Sequence, residues 1–75
     1  MSDLYTVEVV IPIPLSQTFD YMVSKLEFEN IKKGSRVIVS FGQKKLYTAI
    51  VVKKFINKQY DFNLKDIEFI VDDSP

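Results

Sequence analysis

The chain has no cysteine, no histidine and no tryptophan, only two glycines in 75 residues, and no net charge, since ten basic residues balance ten acidic ones. Each gap removes a class of chemistry. Without cysteine there is neither a disulfide framework nor a thiolate metal site, and without histidine as well only carboxylates are left as metal ligands. Zinc coordination and histidine-based acid–base catalysis are excluded. With Gly34 and Gly42 as the only glycines, no Gly-x-x-x-x-Gly-Lys-[Ser/Thr] phosphate loop exists, so this stretch of chain does not hydrolyse ATP. No apolar run is long enough to span a bilayer, and Met1-Ser2-Asp3 is not the charged-then-apolar start of a secretory leader. A cytoplasmic location is expected. Zero net charge argues against a protein that grips duplex DNA along many phosphates.

What is present suits a small folded module. Apolar residues make up 47% of the chain, with six phenylalanines and four tyrosines, and 27% of residues are charged, a balance that supplies a core and argues against disorder. A chain this short buries only about 60% of the surface its unfolded form exposes, so residues 1–75 are expected to form a single domain of modest stability. Basic residues include Lys32, Lys33, Arg36, Lys44, Lys45, Lys53, Lys54, Lys58 and Lys65, and acids gather at Glu27, Glu29, Asp66, Glu68, Asp72 and Asp73. Such a distribution makes one basic and one acidic face, or simply solvates strand ends and turns.

Alternation predicts a strand from Leu4 to Ile11, with Tyr5, Val7, Val9 and Ile11 on one side and Thr6 and Glu8 on the other. Pro12 and Pro14 remove ladder donors, so pairing stops there and a second strand, Ser16 to Val23, begins; Pro14 also allows a short helical turn at its start. Leu26 to Lys33 is mixed in character and reads as a loop closed at Gly34, where glycine permits the positive φ of a tight turn. Arg36 to Phe41 is a third strand, Gly42-Gln43-Lys44-Lys45 a hairpin link, and Leu46 to Ile56 a long fourth strand. Its unbroken Ala49-Ile50-Val51-Val52 run points to a central strand or to burial on both faces. Asn57 to Leu64 reads as an excursion loop, and Lys65 to Val71 as a closing fifth strand before Asp72-Asp73-Ser74-Pro75. The expected fold is all-β, a five-stranded, partly open barrel, OB-like or SH3-like in strand order, with at most a short helical turn.

The order of these pieces carries more than any one of them. A strand, the proline-interrupted run Ile11-Pro12-Ile13-Pro14, then Thr18-Phe19-Asp20-Tyr21, then Gly34-Ser35-Arg36-Val37 leading to Phe41-Gly42, then Ala49 to Val52, and last Asn63-Leu64-Lys65, resembles the N-terminal 3′ DNA-binding domain of the PriA replication-restart helicases (primosomal protein N′). The resemblance covers nearly the whole chain, although Ser24 to Lys33 and Asn57 to Phe62 match no part of the family pattern. It implies a module that binds the 3′ end of a nascent leading strand at a stalled fork and positions a helicase for primosome assembly. It also implies that the chain is the N-terminal fragment of a much longer ATP-dependent 3′-to-5′ helicase. ATP, magnesium and zinc then belong to the remainder, and this domain needs no cofactor and has no catalytic residues. The implied partners are single-stranded or forked DNA with a free 3′ end, the remaining helicase domains and other primosome proteins.

Carried over through that resemblance, the 3′-end pocket comprises Phe19, Asp20, Tyr21, Gly42 and Lys65. Asp20 is the unusual member, because a carboxylate weakens the binding of a polyanion. It does suit a chain end: a free 3′-hydroxyl donates to it, whereas an internal nucleotide brings a further phosphate against its charge. The plain alternative is a strand carboxylate paired with a nearby lysine. Phe19 and Tyr21 offer aromatic surface to a base, but alternation puts both opposite Asp20, where they serve the core and leave only their backbone to the pocket. Gly42 lets a ligand approach the main chain or simply meets a turn's need for positive φ. Lys65 reaches a terminal phosphate or ribose, or is a solvated edge lysine. A reading of a different class is a small-barrel protein-interaction adaptor that docks a peptide along a sheet edge, against which the missing tryptophan counts.

Overall fold

The computed structural model describes residues 3–71, so the acidic end at Asp72 and Asp73 lies outside the described residues. Five strands and one short helix follow in chain order: β1 (Tyr5–Val10), β2 (Phe19–Val23), α1 (Lys25–Asn30), β3 (Arg36–Phe41), β4 (Lys45–Ile56) and β5 (Phe69–Ile70). They form one curled sheet in the order β2-β1-β4-β3-β5 with every neighbouring pair antiparallel, the expected all-β, partly open barrel.

Alternation explains why the sheet curls around one core. Val7, Val9, Ile11, Tyr21, Val23, Val37, Val39, Ala49 and Val51 all point inward and are buried, each aliphatic side chain larger than alanine being worth roughly 1.5 to 3 kcal/mol relative to exposure. Across the gap between β2 and β3, Phe19 packs its ring 4.7 Å from that of Phe41, and the Tyr21 hydroxyl donates to the Ser40 carbonyl at 2.8 Å. Residues 65–71 close much of this seam. Met22 N–H donates to Lys65 O at 2.8 Å and Ile67 N–H to Met22 O at 3.0 Å, after which Glu68 and Val71 donate to Ile38 O and Arg36 O on β3.

Several boundaries differ from the sequence expectation. β2 starts at Phe19, not Ser16, and no helical turn precedes it; instead Ile13 N–H bonds Ile11 O at 2.7 Å and Leu15 N–H bonds Ile13 O at 2.8 Å, two consecutive three-residue turns centred on the prolines, whose fixed φ suits them. The segment expected as a loop holds α1. Ser24 caps it, its Oγ accepting from Glu27 N–H at 3.1 Å while Glu27 Oε1 accepts from Ser24 N–H at 2.8 Å, and this reciprocal pair offsets the cost of so short a helix. Phe28 then packs on Tyr5, and Ile31 is buried at the end of the barrel.

β4 is the central strand, but it is not buried on both faces, since Ile50 is exposed. Its register against β1 slips between Glu8↔Lys53 and Val9↔Val51, leaving Val52 as an extra residue in a β-bulge. The bulge inverts the phase of the strand, so Lys53 and Phe55 join Glu8 and Thr6 on the outer face. Lys54 falls on the inner side at the barrel end, where its ammonium donates to Ile31 O at 2.8 Å and lies 4.2 Å from the Phe28 ring centroid. The fifth strand is shorter than expected, Phe69–Ile70, because Lys65 to Ile67 bridges β2 before the chain crosses to β3.

Candidate functional site

Residues 57–64 leave β4 and return across the outer face of β1 and β2. Asn57 makes the reversal: it adopts φ 60°, a left-handed conformation asparagine tolerates, and exchanges two bonds with Leu4, from Asn57 N–H to Leu4 O and from Leu4 N–H to Asn57 Oδ1, both at 2.7 Å. This latch brings Tyr60 down onto the sheet. Its hydroxyl lies 3.0 Å from Thr6 Oγ1 and donates to Asp20 Oδ2 at 2.5 Å. An ionised carboxylate only accepts, so the Tyr60 proton is committed to Asp20 and Thr6 donates to Tyr60. Thr6, fully buried beneath the ring, is satisfied by this one contact with the loop.

Lys58 completes the cluster by donating to the same Oδ2 at 3.0 Å, its ammonium 4.3 Å from the Phe55 ring centroid. Two donors on one oxygen leave the other oxygen without a donor among the described residues. No buried side-chain oxygen or nitrogen lacks a partner there, so Oδ1 is not fully buried, although the Asp20 side chain is only 11% exposed. The carboxylate is thus held from one side and free on the other. The bond to Asp20 raises the pKa of Lys58, and burial followed by the Asp20 bond raises that of Tyr60, so ammonium and neutral phenol are both stabilised at neutral pH. Burial also raises the pKa of Tyr21.

Between this loop and the free edge of β2 lies a cavity of about 570 Å³, within the range of small-ligand sites. Phe19, Asp20, Tyr21 and Lys65 line it, so four of the five expected residues are brought together. Gly42 is not in the lining; it sits in the β3–β4 turn at φ 71°, the conformation that turn requires, beside Phe41, which packs against Phe19 at the same end of the seam. The rings of Phe19 and Tyr21 belong to the core face, so this strand meets the cavity mainly through its backbone and Asp20. By the two-residue period of a strand, Asp20 N–H and C=O face the same edge as those of Met22, which bond residues 65 and 67, and so add a donor and an acceptor to the cavity wall.

Charges in the lining cancel, with Asp20 and Asp61 against Lys58 and Lys65, while Tyr60 and Phe62 add aromatic surface. Lys58, Tyr60 and Phe62 are the residues that sequence reasoning missed. Lys58 and Tyr60 meet Asp20 across 38 and 40 residues, and no local periodicity announces a contact between a loop and the outer face of a distant strand.

The arrangement offers hydrogen-bond acceptors and donors, π-faces and few cations, which suits one nucleotide better than a phosphate track. Residues 8–75 match the family model of the PriA 3′ DNA-binding domain (3′BD). Neither curated proteins nor solved structures include a significant match to the chain. Among the described residues no helix is long and apolar enough to cross a membrane.

Proposed function

Starting from the fact that this chain belongs to the family of PriA 3′ DNA-binding domains, we propose that the cavity beside Asp20 holds the 3′-terminal nucleotide of a DNA strand. The observation that carries the reading is the one-sided Asp20 carboxylate. Oδ2 is fixed by Tyr60 and Lys58, and Oδ1 accepts from a free 3′-hydroxyl, while the cavity walls accommodate sugar and base. An internal nucleotide puts a phosphate where the hydroxyl would be, against a carboxylate whose charge Lys58 offsets only in part. Lys65, also in the lining, approaches the preceding phosphate or the ribose. The base is gripped by backbone groups and aromatic surface, which tolerate any sequence.

In this reading the domain is the end sensor of a longer replication-restart helicase, captures the 3′ end of the leading strand at a stalled fork in the cytoplasm, and orients the motor and other primosome proteins. It does no catalysis itself and needs no cofactor. Fluorescence anisotropy with short single strands tests the core of the proposal, comparing a free 3′-hydroxyl end, a 3′-phosphate end and a circle with no end. Preference for the hydroxyl end is expected. Equal affinity for all three would remove the end-sensing role and leave a general single-strand binder.

A further inference from the structure

A second cavity, of about 430 Å³, is lined by Leu4, Met22, Tyr60, Phe62, Asn63 and Leu64. Four of these six, Tyr60, Phe62, Asn63 and Leu64, also line the first cavity, so the two spaces adjoin along this loop. Its composition differs from that of its neighbour. Not one charged residue lines it, whereas the first cavity has four. Tyr60 is a fixed wall, because its hydroxyl is tied to both Thr6 and Asp20. Phe62 stands edge-on to it with ring centroids 5.8 Å apart and is 64% exposed, an unusual state for a phenylalanine that has a cavity beside it.

We propose that the second cavity is a nucleobase site, and that it takes the base of the nucleotide preceding the 3′-terminal one. The assignment rests on the reading of the first cavity as the terminal-nucleotide site. A phosphate is disfavoured here for want of any cation, and a base is favoured for three reasons. The exposed ring of Phe62 offers a π-face, which every base stacks on regardless of identity. Leu4, Met22 and Leu64 supply apolar contact along the edges of the plane, with methionine able to adapt to purine or pyrimidine width. The Asn63 amide both donates and accepts, so it answers any base edge without selecting one. Adjacency to the first cavity is what commits the site to a nucleobase, since two bases in adjoining spaces are what a strand ending beside Asp20 would present.

The test is a two-by-two comparison in the 75-residue chain, with 3′-hydroxyl single strands that carry either a normal penultimate nucleotide or an abasic one. Base–aromatic stacking predicts that the abasic strand binds about ten-fold more weakly, within the roughly 5- to 150-fold span of such contacts. Phe62→Leu keeps apolar bulk and removes the π-face; because Phe62 also borders the first cavity, both strands should weaken, the normal strand several-fold more than the abasic one. Equal weakening of both strands by Phe62→Leu, or no loss on removal of the penultimate base, overturns the assignment. A third strand, abasic two positions further from the end, should bind like the normal one, and a loss as large as at the penultimate position also overturns it. Failure of the underlying reading shows separately, as loss of the preference for a 3′-hydroxyl over a 3′-phosphate in the unmodified chain.

Discussion

On the inner face of β1 and β2, Val7, Val9, Tyr21 and Val23 share one core with β3 and β4, whereas on the outer face Thr6 and Asp20 are held by two side chains of a single loop. Inner residues are interchangeable in kind: most are valines, and each is secured by several neighbours. Outer residues are not. Thr6, Asp20, Tyr60 and Lys58 form a chain of hydrogen bonds in which each member has one role, and the alignment of that chain leaves one carboxylate oxygen open. Stability is thus spread widely on one side of the sheet, and specificity is concentrated in a few atoms on the other.

The contrast breaks most severely if an inner position tolerates what the outer face uses. Val51 is fully buried and pairs with Val9, so Val51→Asp puts an unpaired charge in the core at a cost of several kcal/mol, comparable to the whole stability of a domain this size. Circular dichroism should show an unfolded chain at room temperature. Phe62→Ser, on the exposed loop, should melt within a few degrees of the parent. If Val51→Asp melted normally, the inner face would not be the cooperative core.

Asp20→Asn sharpens the other half. The amide keeps the size of the carboxylate but loses its charge, and it no longer holds Lys58 as firmly. Affinity for a free 3′-hydroxyl strand should fall by about 1 to 3 kcal/mol, as for loss of a charge-assisted hydrogen bond. The gap between 3′-hydroxyl and 3′-phosphate strands should narrow as well, because the repulsive element is gone. An unaltered gap in a well-folded variant would assign end discrimination to some other group.

Tyr60→Phe separates holding from binding. It retains the ring and strands the buried Thr6 hydroxyl, so stability at neutral pH should drop by about 1 to 2 kcal/mol. The pH dependence has a definite sign. Tyr60 titrates above the ordinary tyrosine value of 10.0 in the folded protein, so its contribution is fully present below 10.0 and is lost as pH rises through the folded pKa. Urea midpoints should therefore decline more shallowly above pH 10 in Tyr60→Phe than in the parent, with Tyr21, shifted up by burial, and Lys58, shifted up by its bond to Asp20, contributing to the decline that is left. Parallel curves would show that the Tyr60 hydroxyl is not engaged as described.

Legibility in the sequence follows the same division. The strands were readable because alternation repeats the same instruction at every second residue, as in Arg36 to Phe41, where expected and observed bounds agree. The helix was also written there, as Ser24-Lys25-Leu26-Glu27, but six residues give too little periodicity to outweigh a mixed composition. The bulge at Val52 could not be read, since it depends on pairing with β1. At the site, Phe19, Asp20, Tyr21 and Lys65 entered through the family resemblance, and the structure places them around one cavity. Lys58 and Tyr60 had no local signal, because what matters about them is the distance to Asp20 after folding.

The smallest expected effect concerns Lys65, whose backbone and side chain have different tasks. Its carbonyl accepts from Met22 N–H and so ties residue 65 to β2, while its exposed side chain is the second cation, beside Lys58, among the cavity's lining residues. Lys65→Ala leaves the first intact and removes the second. Melting should be unchanged, and affinity for 3′-ended strands should fall by about 1 kcal/mol or less, as for one solvated charge meeting one phosphate or ribose. Salt dependence supplies the sharper reading. A cavity with two lysines displaces few counterions, so the log–log slope for the parent should be shallow, roughly −1 to −2, and Lys65→Ala should make it shallower by about 0.7, one single-strand phosphate contact. A parent slope near −6 would require a phosphate track elsewhere on the surface. An unchanged slope in Lys65→Ala would return that lysine to the solvent and leave Lys58 as the cation that answers the strand.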